Sequence, residues 1–194
     1  NLQRELGLTN LNLGYVSSCS GASLEAMRYL NDALDADLDR HLRIATLGNV
    51  ADILIELADY EKASAFVSKG LALVDSSTPQ PLLAHLYSNR ASIEAAFGDV
   101  ELAKASAAEA SRLVSLFGAS TMVVNPSLDL ALAYLRRGEF QEALARAREG
   151  KSISSELDGQ PYLKKILRIE AEALDGLGRF EEASATWRQY ADLV

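Results

Sequence analysis

One phrase of six residues, repeated at an almost constant interval, constrains this chain more than anything else in it. Gly138-Glu139-Phe140-Gln141-Glu142-Ala143 reads as a tight turn opening a helix. The same phrase occurs at Ala58-Asp59-Tyr60-Glu61-Lys62-Ala63, Gly98-Asp99-Val100-Glu101-Leu102-Ala103 and Gly178-Arg179-Phe180-Glu181-Glu182-Ala183. A degenerate copy lies at Gly21-Ala22-Ser23-Leu24-Glu25-Ala26. The closing alanines, residues 26, 63, 103, 143 and 183, are separated by steps of 37, 40, 40 and 40. A period that regular is the mark of a repeat array, in which each unit buries its apolar face against its neighbours.

Each period holds two amphipathic stripes. Leu47, Val50, Ala51 and Leu54 fall at i, i+3, i+4 and i+7, and after the turn Ala63, Val67, Gly70 and Leu71 repeat that helical spacing. Leu130, Ala131 and Tyr134, then Ala143, Ala147 and Gly150, do the same two periods on. Small residues at Ala33, Gly70, Ala110 and Gly150 share one register position, where helices cross closely. Asp59, Asp99 and Glu139 are placed to cap second helices. Pro81 and Pro161 open first helices, where a missing N–H costs nothing. Pro126 predicts the start of a further first helix after an extended Ala119–Asn125. Ser76–Gln80 is the clearest loop between units, and Ser17–Ser23 is expected to be the turn of the first unit. Strand signals are absent. The expectation is an all-α, right-handed superhelix of about ten antiparallel helices forming one repeat domain, residues 1–194, with units of approximately 1–43, 44–82, 83–122, 123–162 and 163–194.

Composition matters mainly for what it excludes. The formal charge is −8, and phosphate backbones attract basic faces, so direct nucleic-acid binding is not expected. The locally basic window Arg136–Arg168, eight bases against five acids, reads as a solvated helix face. No apolar run approaches the roughly 18–20 residues that span a bilayer, so no membrane partner is expected. The single Cys19 cannot form an internal disulfide, which fits a reducing, cytoplasmic setting. The chain opens on Asn1 and not on Met, which fits a piece of a longer protein; a removed signal peptide stays open as well.

The pattern resembles the tetratricopeptide repeat. Leu13-Gly14, Val50-Ala51 and Leu130-Ala131 match its large-small pair in first helices. Asp59-Tyr60, Glu139-Phe140 and Arg179-Phe180 match its turns, and Ala63, Ala103, Ala143 and Ala183 its close helix contact. The period near 40 is longer than the usual 34 of that repeat and is similar to long variants in bacterial signalling proteins. The first unit departs most, as terminal repeats often do.

The resemblance implies that first helices line a concave surface. It places Asn12, Tyr15, Asn49, Asp52, Asn89, Ser92, Asp129, Leu132 and Glu172 on that inner wall. Asn12, Asn49 and Asn89 share one position, where related arrays hydrogen-bond the backbone of an extended peptide; an Asn there without function is the alternative. The neighbouring Asp52, Glu56 and Ser92 offer no clamp for a terminal carboxylate, so a neutral or basic segment is the expected partner. Arg90 and Glu94 stand at positions usually apolar. They form either an intrahelical ion pair or a polar pocket open to a ligand.

No catalytic residues, metal ligands or cofactors are expected. His41 and His85 lie on separate units without partners at metal-ligand spacing, and Cys19 has no neighbouring base. The function expected is non-catalytic binding of a protein or peptide, as the sensory or regulatory part of a larger bacterial signalling protein whose output enzyme, such as a diguanylate cyclase or kinase, would lie elsewhere. The alternative is a stand-alone scaffold. Ala183, Trp187, Tyr190 and Leu193 put an apolar stripe on the last helix. Trp187, Tyr190 and Leu193 are therefore the expected interaction edge, with a homo-oligomer through that helix as one use of it.

Overall fold

A computed structural model describes residues 2–116, 124–156 and 160–193. Among these there are ten helices and no strand: α1 (Leu2–Cys19), α2 (Ser23–Asp35), α3 (Arg40–Glu56), α4 (Tyr60–Ala72), α5 (Gln80–Ala96), α6 (Val100–Ser115), α7 (Val124–Arg136), α8 (Phe140–Glu156), α9 (Gln160–Gly176) and α10 (Phe180–Ala191). Odd-numbered helices are the first helices of the five periods, and even-numbered ones the second.

The six-residue phrase does two jobs with one set of atoms. At its first residue the backbone turns left-handed, with φ of +79° at Gly21, +59° at Ala58, +81° at Gly98, +73° at Gly138 and +71° at Gly178. That residue and the next donate back into the helix just ended: Ala58 N–H to Ile55 O at 3.0 Å and Asp59 N–H to Leu54 O at 2.8 Å, with the same pair of bonds at the other four turns. This double closure satisfies carbonyls that the helix end would otherwise leave bare. The second residue then opens the next helix. Asp59 Oδ1 accepts from Lys62 N–H at 3.3 Å and Asp99 Oδ1 from Leu102 N–H at 3.2 Å. Glu139 directs its carboxylate to Arg137 Nε at 2.5 Å.

The closing alanine is where the two helices of a unit touch. Ala26, Ala63, Ala103 and Ala143 are fully buried and Ala183 is 1% exposed. Phe140 explains the aromatic in the phrase: its ring lies against Gly176 at the end of the following first helix.

The chain forms two compact units, Asn1–Asn89 and Arg90–Val194, with α5 passing from the first into the second. In the first, Leu30, Ile44, Val50, Ile53 and Leu86 are fully buried. Gly70 is required there by close approach, since a Cβ at that position would stand 2.9 Å from Leu86. In the second, Ala133, Tyr134, Leu144, Ala173 and Leu174 pack as one cluster, and Leu128, Ala131, Ala147, Ile166 and Ile169 as another.

Two helix limits differ from expectation. α1 runs on through Ser17, Ser18 and Cys19, because its closure is made at Gly21 and Ala22, which bond Ser18 O and Ser17 O. α7 starts at Val124, two residues ahead of Pro126, whose missing N–H is tolerated in a first turn. Of the expected extended segment before it, residues 119–123 lie outside the described residues. The loop after α4 is ordered by Asp75, which accepts from Ser77 N–H at 2.9 Å and pairs with Arg40.

Candidate functional site

First helices stack side by side, and their polar residues meet one period apart. In the first unit α1 touches α3, and α5 is tied to α3 by two polar contacts. Asn89 donates from Nδ2 to Gly48 O at 3.0 Å, and His85 Nε2 meets Asp52 Oδ2 at 2.8 Å. The residues expected on an inner wall are Asn12 and Tyr15 on α1 and Asn49 and Asp52 on α3. Tyr15 is 59% exposed, Asn12 is exposed, and Asn49 and Asp52 are half-buried. Asn89 is buried and spends its amide on Gly48. The three asparagines of one register position therefore differ: Asn12 is exposed, Asn49 is half-buried, and Asn89 is buried and binds its neighbour.

The His85 pair has a defined electrostatic character. Burial opposes a charged imidazolium, but the charge of the Asp52 carboxylate and its hydrogen bond outweigh that, and the His85 pKa rises above its ordinary value. Asp52 is thereby engaged, though its side chain stays 39% exposed.

In the second unit Ser92 and Asp129 are closed, whereas Glu172 is exposed. Asp129 is 1% exposed; the Ser92 hydroxyl donates to its Oδ1, and Lys165 Nζ stands 3.5 Å away. Ser92 is buried with it. Leu132 is half-buried, and Glu172 is exposed with Arg168 Nε at 3.7 Å. Arg90 and Glu94 form the intrahelical ion pair, Nε to Oε1 at 2.8 Å, and Ser106 Oγ donates to the other Glu94 oxygen at 2.6 Å. Glu170 is likewise enclosed and held by Arg148 Nε at 3.0 Å and Lys151 Nζ at 3.1 Å. A depression of about 220 Å³ in this unit is lined by Tyr134, Glu142, Ala145, Arg146 and Glu149.

On α10, Trp187 and Tyr190 are half-buried and meet edge to face at 5.6 Å between ring centres. Trp187 Nε1 donates to Asp175 Oδ2 at 2.9 Å, and Lys164 Nζ lies 6.0 Å from the Tyr190 ring centre. Leu193 is 44% exposed.

Among the described residues no group of three His, Cys, Asp or Glu side chains is placed to hold a metal ion. None of their helices is long and apolar enough to cross a membrane. His41 Nε2 stands 3.5 Å from Ser77 Oγ, and Cys19 is exposed.

Sequence reasoning missed His85–Asp52 and Ser92–Asp129. The signal was available: these partners are 33 and 37 residues apart, close to one period. Matching polar residues between successive first helices finds them.

These helix pairs, closed by a shared turn and stacked first helix on first helix, define a helical repeat protein of the α-solenoid class. The chain has the fold of tetratricopeptide-like repeat proteins. It is similar to PlcR of Bacillus thuringiensis in complex with the peptide PapR7 and DNA, with 13% identity over 97% of this chain and 70% of that one and a TM-score of 0.77. It is also similar to a Rap protein complexed with Competence and Sporulation Factor (16% identity, 100% and 64% covered, TM-score 0.72). The nearly identical TPR-like repeats of a Podosopora anserina kinesin light chain match at 16% identity, 100% and 96% coverage and a TM-score of 0.62. No family model matches the sequence, and no characterised protein matches it by sequence.

Proposed function

We propose that this chain is a non-catalytic module that binds an extended peptide or protein segment, and that the wall of the first unit makes the contact. The observation that carries this reading is the exposure of the polar residues on α1 and α3, against the burial of Asn89, Ser92 and Asp129. Asn12, Tyr15, Asn49 and Asp52 offer accessible amides, an aromatic face and a carboxylate, whereas Asn89, Ser92 and Asp129 are buried and spent on one another or on the backbone. Asparagine amides supply a donor and an acceptor to an extended backbone, and Tyr15 supplies apolar area with little entropy to lose. Asp52 and Glu56 favour a neutral or basic segment over an acidic one.

The role we propose is sensory or regulatory, within a larger bacterial signalling protein in the cytoplasm. The likeness in fold to Rap and PlcR, each solved with a peptide or factor bound, supports that over a stand-alone scaffold. Self-association through α10 would draw on Leu193 and on Phe180, which is 69% exposed, since Trp187 and Tyr190 already pack on each other.

Fluorescence anisotropy with labelled neutral, basic and acidic peptides tests the binding reading. Asn49→Ala and Tyr15→Ala should each weaken binding of the preferred peptide by about five- to tenfold, one hydrogen bond or one packed ring apiece. The basic peptide should bind more tightly than the acidic one, and lose that advantage at high salt. Parent-like affinity in both variants would overturn the assignment of this wall.

A further inference from the structure

The tie between α3 and α5 joins a titratable ring to a carboxylate that solvent reaches. The imidazole of His85 is seated on Gly48, where a Cβ would stand 2.9 Å from Nδ1 and 3.0 Å from Cε1. A larger residue at that position would push the ring aside. One turn along α3, Asp52 Oδ2 meets His85 Nε2 at 2.8 Å. One turn along α5, Asn89 Nδ2 donates to Gly48 O at 3.0 Å. These two rungs hold the ring in place. The His85 side chain is 21% exposed and that of Asp52 39%, so the carboxylate is the open half of the pair.

The second unit supplies a comparison. Lys165 occupies the register position of His85 two periods on, and it too faces a carboxylate of the preceding first helix, Asp129 Oδ1 at 3.5 Å. That carboxylate is 1% exposed, and its partner is an ammonium that keeps its charge at neutral pH. Where the carboxylate is shut away, the cation is permanent. Where it is open, the cation is one that can lose its charge.

We infer that Asp52 is the subsite for a cationic side chain, guanidinium or ammonium, of the bound segment, and that His85 gives up its proton when that side chain arrives. This rests on the reading that α1 and α3 bind a peptide segment, and it adds which residue of the segment is selected and what the protein releases. His85 occupies Asp52 Oδ2, which leaves Oδ1 for a second donor. A cation there stands close to the imidazolium, and like charges on one carboxylate disfavour each other. Burial already opposes charge on the ring, and among the described residues Asp52 is the charged group that offsets it. With Asp52 shared, the ring passes a proton to water and neutral His85 keeps its Nε2–H on Oδ2. The other charges nearby are engaged or turned to solvent. On α5, Arg90 is bound to Glu94. On α3, Glu56 lies one turn beyond Asp52 and is exposed. On α4, which meets α5 where Gly70 packs on Leu86, Glu61, Lys62 and Lys69 are exposed. Binding that releases a proton tightens as pH rises, from the lower His85 pKa of the bound form to the raised one of the free form, and is level outside that window.

The test uses the whole chain and two labelled peptides that differ at one residue, arginine in one and its neutral isostere citrulline in the other. Arginine stays charged throughout. Anisotropy from mildly acidic to mildly alkaline pH should show the arginine peptide binding about tenfold more tightly at the alkaline end, one pKa unit of linkage, and the citrulline peptide binding without slope. His85→Gln and Asp52→Asn should each remove the slope, and Asp52→Asn should also bring the arginine peptide to the citrulline level. In the parent chain, the NMR titration of His85, told apart from that of His41 by His85→Gln, should move to lower pH with the arginine peptide bound and stay in place with the citrulline one. Arginine peptide that binds equally at every pH, or with a slope that survives His85→Gln, overturns the inference and leaves peptide binding standing. Failure of both peptides to bind at any pH overturns the binding reading and the inference together.

Discussion

Ala58 is the one non-glycine among the described residues with a positive φ, and it offers a clean measurement of what the repeat's turn costs. At +59° its Cβ crowds the following carbonyl, a penalty of roughly 1–2 kcal/mol for an L-residue. Replacing it with glycine removes that penalty but frees the unfolded chain, which costs about 0.4–1 kcal/mol. The difference predicts that Ala58→Gly stabilises the protein by about 0.8 kcal/mol, in a range from about zero to 1.6. For a chain of this size that is a rise of about 2–3 °C in Tm. The reciprocal change is Gly98→Ala. Gly98 has φ +81° and nothing within 4 Å of the site where a Cβ would stand, so the substitution adds backbone strain without a clash. It should lose about what Ala58→Gly gains. Urea unfolding with an unchanged m-value is the assay, because the effect is then on stability and not on the extent of unfolding. A destabilised Ala58→Gly, or a neutral Gly98→Ala, would refute the claim that left-handed geometry is what this turn position demands.

Ala143→Leu should overpack the fully buried crossing of α7 and α8 and cost about 1–3 kcal/mol, while Ala145→Leu, on an exposed position two residues away, should melt with the parent; equal melting temperatures would refute the register. The His85 pKa is raised in the folded state, so the stability from its pair with Asp52 is fully present below the unfolded value of about 6.5 and is lost as pH rises through the higher folded one. Thermal melts from mildly acidic to mildly alkaline pH should show that decline, and Asp52→Asn should flatten it. Glu170→Leu should melt no lower than the parent, because Arg148 and Lys151 keep 47% and 40% of their side chains exposed and can return to water; Glu170→Ala should melt lower, through the void it leaves.

What the sequence determined by itself was everything that repeats. The steps of 40 residues, the small residue at the helix crossing and the acid after the turn were all legible, because each reflects a backbone requirement met anew in every unit. The left-handed turn must be glycine or tolerate strain. The residue after it must close one helix and open another, and Asp59 and Asp99 do both. The bland reading of Arg90 with Glu94 was legible too, since four residues along one helix bring two side chains together whatever surrounds them. The fate of the polar wall was decided only by tertiary structure. Asn49 and Asn89 are identical in the repeat, yet one is half-buried on the wall and the other buried against Gly48 O. That difference is set by the neighbouring helix and not by either residue's own surroundings in sequence. The same holds for Asp129, whose burial depends on Ser92 and Lys165. The ends show it most plainly. The apolar stripes of α1 and α10 are both evident as patterns, but a pattern says only that a face is apolar. How far each stripe is covered is read only from the folded chain: Trp187 and Tyr190 fold onto each other and onto α9, while Leu2, Leu6, Leu13 and Val16 are 80%, 51%, 41% and 62% exposed.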